Sequence, residues 1–203
     1  MIERFTGGFV QTNSYLISTP DGAQLLIDAP EGVAKWLAGK GIRPAAVLLT
    51  HQHYDHVQGA AELSALGIPI HAWVPYSPAL TLEQMVRGWG LPVTVEPYTI
   101  TNLLEGTERL EIAGLEIELL HVPGHSTDSV AFHLRSQGEV FGGDTLFAGG
   151  IGRTDLPGGD HDQLITAIQT KLLPLAAETR VFPGHGPATT IGAERAGNPY
   201  LEG

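Results

Sequence analysis

Four short apolar runs in this chain each lead into a turn that carries histidine or aspartate. Val47-Leu48-Leu49-Thr50 runs into His51-Gln52-His53-Tyr54-Asp55-His56. Leu119-Leu120-His121-Val122-Pro123-Gly124 runs into His125. Val140-Phe141-Gly142-Gly143 runs into Asp144, and Val181-Phe182-Pro183-Gly184 into His185. Runs this short and apolar read as buried strands. Loops at strand ends are where a rigid scaffold carries its working groups. In the last three, glycine directly precedes the polar residue, which lets the backbone turn sharply or approach closely.

The rest of the pattern fills in between these strands. Asn13 to Ser18 and Gln24 to Asp28 read as two strands about a Pro20-Asp21-Gly22 turn. Gly32 to Gly39 reads as a short helix with Val33, Trp36 and Leu37 on one face and Gly41 past its end. Ala45 to Thr50 is a buried strand, Ala60 to Leu66 a helix closed by Gly67, and Leu80 to Trp89 another helix. Leu110 to Ile112 and Leu115 to Leu120 flank Ala113-Gly114 as a hairpin, with Glu116 and Glu118 on its wet face. Ser129 to Leu134, Glu139 to Phe141 and Arg180 to Phe182 are further strands. Asp160 caps a helix bearing Leu164, Ile168 and Leu172, with Gln163 at the capping-box position, and Ile191 to Ala196 forms a last helical turn or two. Strands outnumber helices and helices fall between groups of strands. That predicts a layered α/β (or α+β) chain with sheets inside, and 203 residues suit a single domain.

Composition removes several functions. Acids outnumber bases 22 to 11, for a net charge of −11, which phosphate backbones repel. No nucleic-acid partner is expected. The absence of cysteine excludes disulfides, thiolate zinc fingers, iron–sulfur clusters and cysteine nucleophiles. Met-Ile-Glu-Arg-Phe at the N-terminus has neither the basic start nor the apolar run of a secretory signal. The longest stretch without Asp, Glu, Lys or Arg carries three prolines, so no membrane span is expected and the cytoplasm is the expected compartment.

His51, His53, Asp55 and His56 fall within six residues. At an extended strand end, residues two apart project to the same side, so His51 and His53 can grip one cation. Asp55 and His56 follow as the chain turns and can reach a second. Imidazole and carboxylate together suit zinc or iron. His125, Asp144 and His185 share the strand–glycine–ligand context. Seven ligands, five His and two Asp, suit two divalent metals sharing one carboxylate, a site that makes hydroxide at neutral pH and polarises a carbonyl oxygen. His71, His133 and His161 read as structural or surface residues, His121 as core or a support for the site, and Trp36 and Trp89 as packing on core or helix faces.

His-Xaa-His-Xaa-Asp-His followed by Pro-Gly-His, Gly-Asp and Gly-His resembles the metallo-β-lactamase superfamily over nearly the whole chain. The resemblance implies an αββα sandwich of two mixed sheets between helical layers, with the metals at one edge. Gly142 to Phe147, then Gly152-Arg153-Thr154-Asp155, and Pro183-Gly184-His185-Gly186 through Asn198-Pro199-Tyr200-Leu201 look like the short glyoxalase II-like hydrolases. That implies one metal on His51, His53 and His125, the other on Asp55, His56 and His185, and Asp144 bridging. The metals are expected to be zinc, with iron or manganese as alternatives. The expected activity is hydrolysis of S-lactoylglutathione or related acyl thioesters by a metal-bridged hydroxide that Asp55 ligates and orients. A thiolate leaves without a general acid because its conjugate acid has a pKa of about 8.5.

Two departures bear on the substrate. The helical C-terminal domain that supplies much of the glutathione pocket in full glyoxalase II is not expected here. Arg153 stands where that family has a lysine, but without the following aromatic residue. It is either a substrate contact or paired with Asp155. Lactonase, persulfide dioxygenase and a non-enzymatic metal-binding module are the competing readings on the same residues. Oligomeric state is left open.

Overall fold

The computed structural model describes residues 1–19 and 21–201, so Pro20 of the expected turn lies outside the described residues. The chain divides into two compact units, Met1–Glu105 and Gly106–Gly203.

The first unit holds a six-stranded mixed sheet in the order β1-β2-β3-β4-β5-β6. Its strands are β1 (Ile2–Gly7), β2 (Thr12–Ser18), β3 (Gln24–Ile27), β4 (Ala46–Leu48), β5 (Ile70–Ala72) and β6 (Asn102–Leu103). β1, β2 and β3 are antiparallel, whereas β3 to β6 run parallel. Parallel strands need crossovers, and helices supply them. Those helices are α1 (Val33–Lys40), α2 (Tyr54–Val57), α3 (Ala60–Ala65), α4 (Pro78–Thr81) and α5 (Glu83–Gly88). Val33 and Leu37 of α1 are buried, and Gly41 closes it in the left-handed region that glycine occupies without strain. Leu25, Leu26, Val47, Leu48 and Ile70 are fully buried. Each such side chain contributes roughly 1.5–3 kcal/mol by leaving water.

The expected helix from Leu80 to Trp89 is not continuous. Leu82 takes φ 57°, which breaks it into α4 and α5. Trp89, expected to pack, is 58% exposed, whereas Trp36 meets Phe5 at 5.2 Å. β1 lacks the apolar run that marks a buried strand. Its residues are half-buried or exposed because it lies at the sheet edge.

The second unit holds another six-stranded mixed sheet, β14-β13-β10-β9-β8-β7. The strands are β7 (Arg109–Ile112), β8 (Leu115–His121), β9 (Val130–Leu134), β10 (Glu139–Gly143), β13 (Arg180–Pro183) and β14 (Thr189–Thr190). A two-stranded ribbon, β11 (Leu146–Phe147) and β12 (Gly150–Ile151), forms a separate small sheet. The hairpin about Ala113-Gly114 forms as expected, pairing Ile112 with Leu115. β10 and β13 are parallel and the other pairs antiparallel. Phe141 and Phe182 stack at 5.0 Å across the parallel pair. The crossover between them is α6 (His161–Ala167), continued by a wide π-type turn over Ile168–Leu172. Asp160 caps α6, its carboxylate accepting the Gln163 N–H at 2.9 Å. Leu164, Ile168 and Leu172 pack with Val122, Val140, Val181 and Ile191. The last helix, α7 (Ile191–Gly197), is capped by Thr190.

Both mixed sheets implied by the sequence are therefore present. Among the described residues no helix is long and apolar enough to cross a membrane.

Candidate metal centre

In the first unit β4 leads through Leu49 and Thr50 into the turn that carries the candidate ligands. His51 and His53 leave the strand end, and Tyr54 starts the single turn α2 that carries Asp55 and His56. Their rings and carboxylate crowd together. His51 lies 4.6 Å from His53 and 4.1 Å from His56 between ring centroids. Asp55 Oδ2 is 3.4 Å from His56 Nε2. All four residues are buried.

The groups behind them determine which nitrogen faces a ligand. Asp28 stands at the end of β3 with φ 58° and is buried. Its Oδ1 accepts the Thr50 N–H at 2.7 Å, and its Oδ2 accepts the Thr50 hydroxyl at 2.8 Å. The same Oδ2 lies 2.8 Å from His56 Nδ1. A carboxylate only accepts, so Nδ1 carries the proton and Nε2 is the basic nitrogen. Thr50 has spent its one proton on Asp28, so its Oγ accepts from His51 Nδ1 at 3.1 Å. His51 is thereby held in the same tautomer. Thr12, at the start of β2, donates to Asp55 Oδ2 at 2.6 Å across 43 positions of sequence.

In the second unit three strand ends bring His125, Asp144 and His185 together. Asp144 Oδ2 stands 3.7 Å from His125 Nε2 and 3.3 Å from His185 Nε2. Two ligand atoms each about 2.1 Å from one tetrahedral ion stand about 3.4 Å apart. These separations match ligand atoms arranged around a cation. His125 Nδ1 lies 2.8 Å from the Arg153 carbonyl oxygen, which also only accepts. His125 is therefore a third imidazole with the proton on Nδ1. Metal-ligating histidines characteristically engage their other ring nitrogen in this way.

Glycine makes this corner possible. Gly143 has φ 53°, and Gly124 has φ 125° with the backbone of Leu164 2.4 Å from where a Cβ would stand. A Cβ on Gly152 would lie 1.9 Å from the Asp144 carbonyl oxygen, so the β12 end can pass Asp144 only without a side chain.

The side chain of Arg153 pairs with a neighbour in its own loop. Its Nε and Nη2 both donate to Asp155, each at 2.7 Å, on an exposed surface. That contact holds the Asp155 carboxyl down at about 2. It is the carbonyl of Arg153 that supports His125. His133 is buried and paired with Glu118 at 2.8 Å, His71 is buried beside Asn102, and His161 is an exposed first residue of α6. His121 is half-buried rather than core, and its Nε2 donates to the Thr127 carbonyl.

Sequence reasoning missed Thr12, Asp28, Thr50 and the Arg153 carbonyl. Asp28 left one signal: an acid directly after the apolar run Leu25-Leu26-Ile27, where a fifth strand-end ligand loop could have been counted.

Comparison with known proteins agrees with this geometry. The sequence model of the metallo-β-lactamase superfamily matches residues 7–185. A Bacillus subtilis protein named probable metallo-hydrolase YqgX is 37% identical, over 98% of this chain and 97% of its own. The Haemophilus influenzae protein named hydroxyacylglutathione hydrolase GloC is 37% identical over 94% of this chain and 93% of its own. The solved structure of BLEG-1 B3 metallo-β-lactamase is 36% identical and superposes with a TM-score of 0.90, covering 100% of both chains. TTHA1623, solved in a di-iron-bound form, is 39% identical with a TM-score of 0.83, covering 98% of this chain and 100% of that one. The His/Asp clusters and the family point to a dinuclear metal site, and the di-iron relative leaves iron as open as zinc. The chain is a metallo-hydrolase that belongs to the metallo-β-lactamase superfamily.

Proposed function

We propose that the two units act as one metallo-β-lactamase-fold domain and that the chain hydrolyses acyl thioesters of the S-lactoylglutathione class. In this reading His51, His53 and His125 hold one divalent ion, Asp55, His56 and His185 hold the other, and Asp144 bridges. The observation that carries it is the shared tautomer of His51, His56 and His125, each protonated at Nδ1 by its own acceptor. The hydroxyacylglutathione hydrolase name of a 37% identical relative supports the substrate class. Zinc, iron and manganese all suit the donor set.

When bound, two such ions supply a nucleophile at neutral pH and a Lewis acid for the carbonyl. The chain supplies the orientation. Asp28 and Thr50 keep His56 and His51 from rotating or changing tautomer. Thr12 fixes Asp55, whose carboxylate orients the attacking group toward the thioester carbonyl carbon. As the tetrahedral species collapses, the C–S bond breaks and the thiolate departs without a proton from the protein. Arg153 would reach the substrate's carboxylate by exchanging Asp155 for it. An exposed ion pair is worth roughly 0–1 kcal/mol, so the exchange costs little. The substrate is a small molecule met in the cytoplasm, with no nucleic-acid partner.

The likeness to a B3 metallo-β-lactamase favours one second reading, β-lactam hydrolysis. The deciding experiment is hydrolysis of S-lactoylglutathione, an uncharged thioester and a β-lactam by metal-replete protein. Both thioesters should be cleaved, and Arg153→Ala should raise KM for the glutathione thioester several-fold with kcat intact. Turnover of the β-lactam alone would replace the thioesterase reading.

A further inference from the structure

Gln52 lies between two ligand histidines and is completely buried. A carboxamide offers two N–H donors and two acceptor lone pairs, and here all four are used. Nε2 donates to the carbonyls of Val74 at 3.2 Å and Pro75 at 3.1 Å. Oε1 accepts from the Ser77 N–H at 3.3 Å and the Tyr98 hydroxyl at 3.2 Å. Every partner belongs to the long connection between β5 and β6. Residues 74–77 open that connection and Tyr98 lies near its close, so one side chain fastens both ends of it.

The connection is otherwise held by scattered contacts, such as the Val95 N–H to Glu83 and the Thr99 N–H to Ser64. It contains two short helices broken at Leu82 and a stretch from 91 to 101 without regular structure. Val93, Val95 and Tyr98 are buried, and the Tyr76 and Tyr98 rings meet at 4.8 Å. His53 has φ −60° and ψ 145°, so the ligand strand is extended there. Side chains alternate along an extended chain. Gln52 thus projects opposite to His51 and His53, and four hydrogen bonds on one side fix the rotation that aims the two imidazoles on the other.

We propose that Gln52 is a positioning residue that couples the 74–98 connection to the metal ligands, making order in that connection and metal seating on His51 and His53 one linked equilibrium. The proposal rests on the metal-site reading given above. Such linkage is reciprocal. Metal binding should slow amide exchange at Ser77, and loosening the connection should weaken the metal.

The test compares wild type, Gln52→Glu and Tyr98→Phe. Gln52→Glu keeps the size but presents oxygen instead of N–H to two carbonyls. Tyr98→Phe deletes one of the four bonds and keeps the ring. Three quantities are read: Ser77 amide exchange with and without zinc, zinc affinity by competition with a chromophoric chelator, and ¹⁵N-histidine imidazole spectra of the metal-stripped chain. Zinc should slow Ser77 exchange in the wild type. Gln52→Glu should weaken zinc by about 10-fold or more, within the range known for residues that support metal ligands. It should also move the His51 and His53 signals in the stripped chain while sparing His133 and His161. Tyr98→Phe should act in the same direction but less, and it decides the matter if Gln52→Glu does not fold. Faster Ser77 exchange with wild-type imidazole signals and zinc affinity would overturn the proposal and leave Gln52 as a fastener of the connection alone. If the wild type takes up no zinc, the two-metal reading fails, and the imidazole spectra of the stripped chain still decide the role of Gln52.

Discussion

The two units build their proposed ligand sets by different means. In Met1–Glu105 four ligands come from six consecutive residues, set by one strand end and one turn of helix. In Gly106–Gly203 three ligands come from three separate strand ends, and their convergence depends on sheet register. The first cluster is local and is held from behind by side chains: Thr12, Asp28 and Thr50. The second is non-local and is held by backbone, through the Arg153 carbonyl and the close passage of Gly152 past Asp144. A local cluster can lose a supporting bond and keep its shape in outline. A register-built corner has no such reserve, because moving one strand end moves a ligand.

The contrast can be broken at several points. Asp55→Asn should have the largest effect, because it removes charge from a ligand and misdirects the attacking group. We expect about 3 kcal/mol on the barrier, on the order of 100-fold in kcat, with a smaller loss of bound metal. Near-normal turnover on thioesters would sink the role given to Asp55.

Gly152→Ala tests the backbone-built corner. A methyl group 1.9 Å from a carbonyl oxygen forces the strand away. About 2 kcal/mol of stability should be lost in thermal unfolding, together with metal occupancy. Thr12→Val tests the side-chain-built cluster. Loss of one hydrogen bond to a carboxylate should cost about 1.5 kcal/mol, read as a raised metal dissociation constant with little change in melting temperature. If Thr12→Val proves more damaging than Gly152→Ala, the contrast between the units is reversed.

The smallest effect concerns pH. Burial lowers the pKa of His71 below its ordinary 6.5, so the folded chain favours the neutral ring. The unfolded chain therefore takes up the proton first as pH falls below about 6.5, and stability declines from there toward the lower folded pKa. His71→Gln should flatten denaturant-measured stability between pH 7 and pH 5. An unchanged slope would show that His71 contributes none of it.

The seven proposed ligand positions stand out in the sequence, because each follows an apolar run and three follow glycine. The runs pointed to sheets inside a layered α/β chain, and the family resemblance implied that there are two of them, both mixed. What was hidden is what depends on distant partners. Thr12 is 43 positions from Asp55, and Asp28 looks like an ordinary strand end until β3 and β4 are paired. The break at Leu82 was hidden because leucine rarely takes a positive φ, and the Leu80 to Trp89 pattern otherwise reads as helix. Arg153 was legible as one member of an alternative. The structure shows its pair with Asp155, whereas its carbonyl's hold on His125 leaves no trace in residue type.

We propose that His51, His53, Asp55, His56, His125, Asp144 and His185 together hold two ions. Anomalous diffraction at the metal edge of metal-replete crystals tests it most directly. Two peaks about 3.5–4 Å apart are expected. One should be ligated by His51, His53 and His125, the other by Asp55, His56 and His185, with Asp144 between them. A single ion, or a pair that leaves Asp144 uncoordinated, would contradict it.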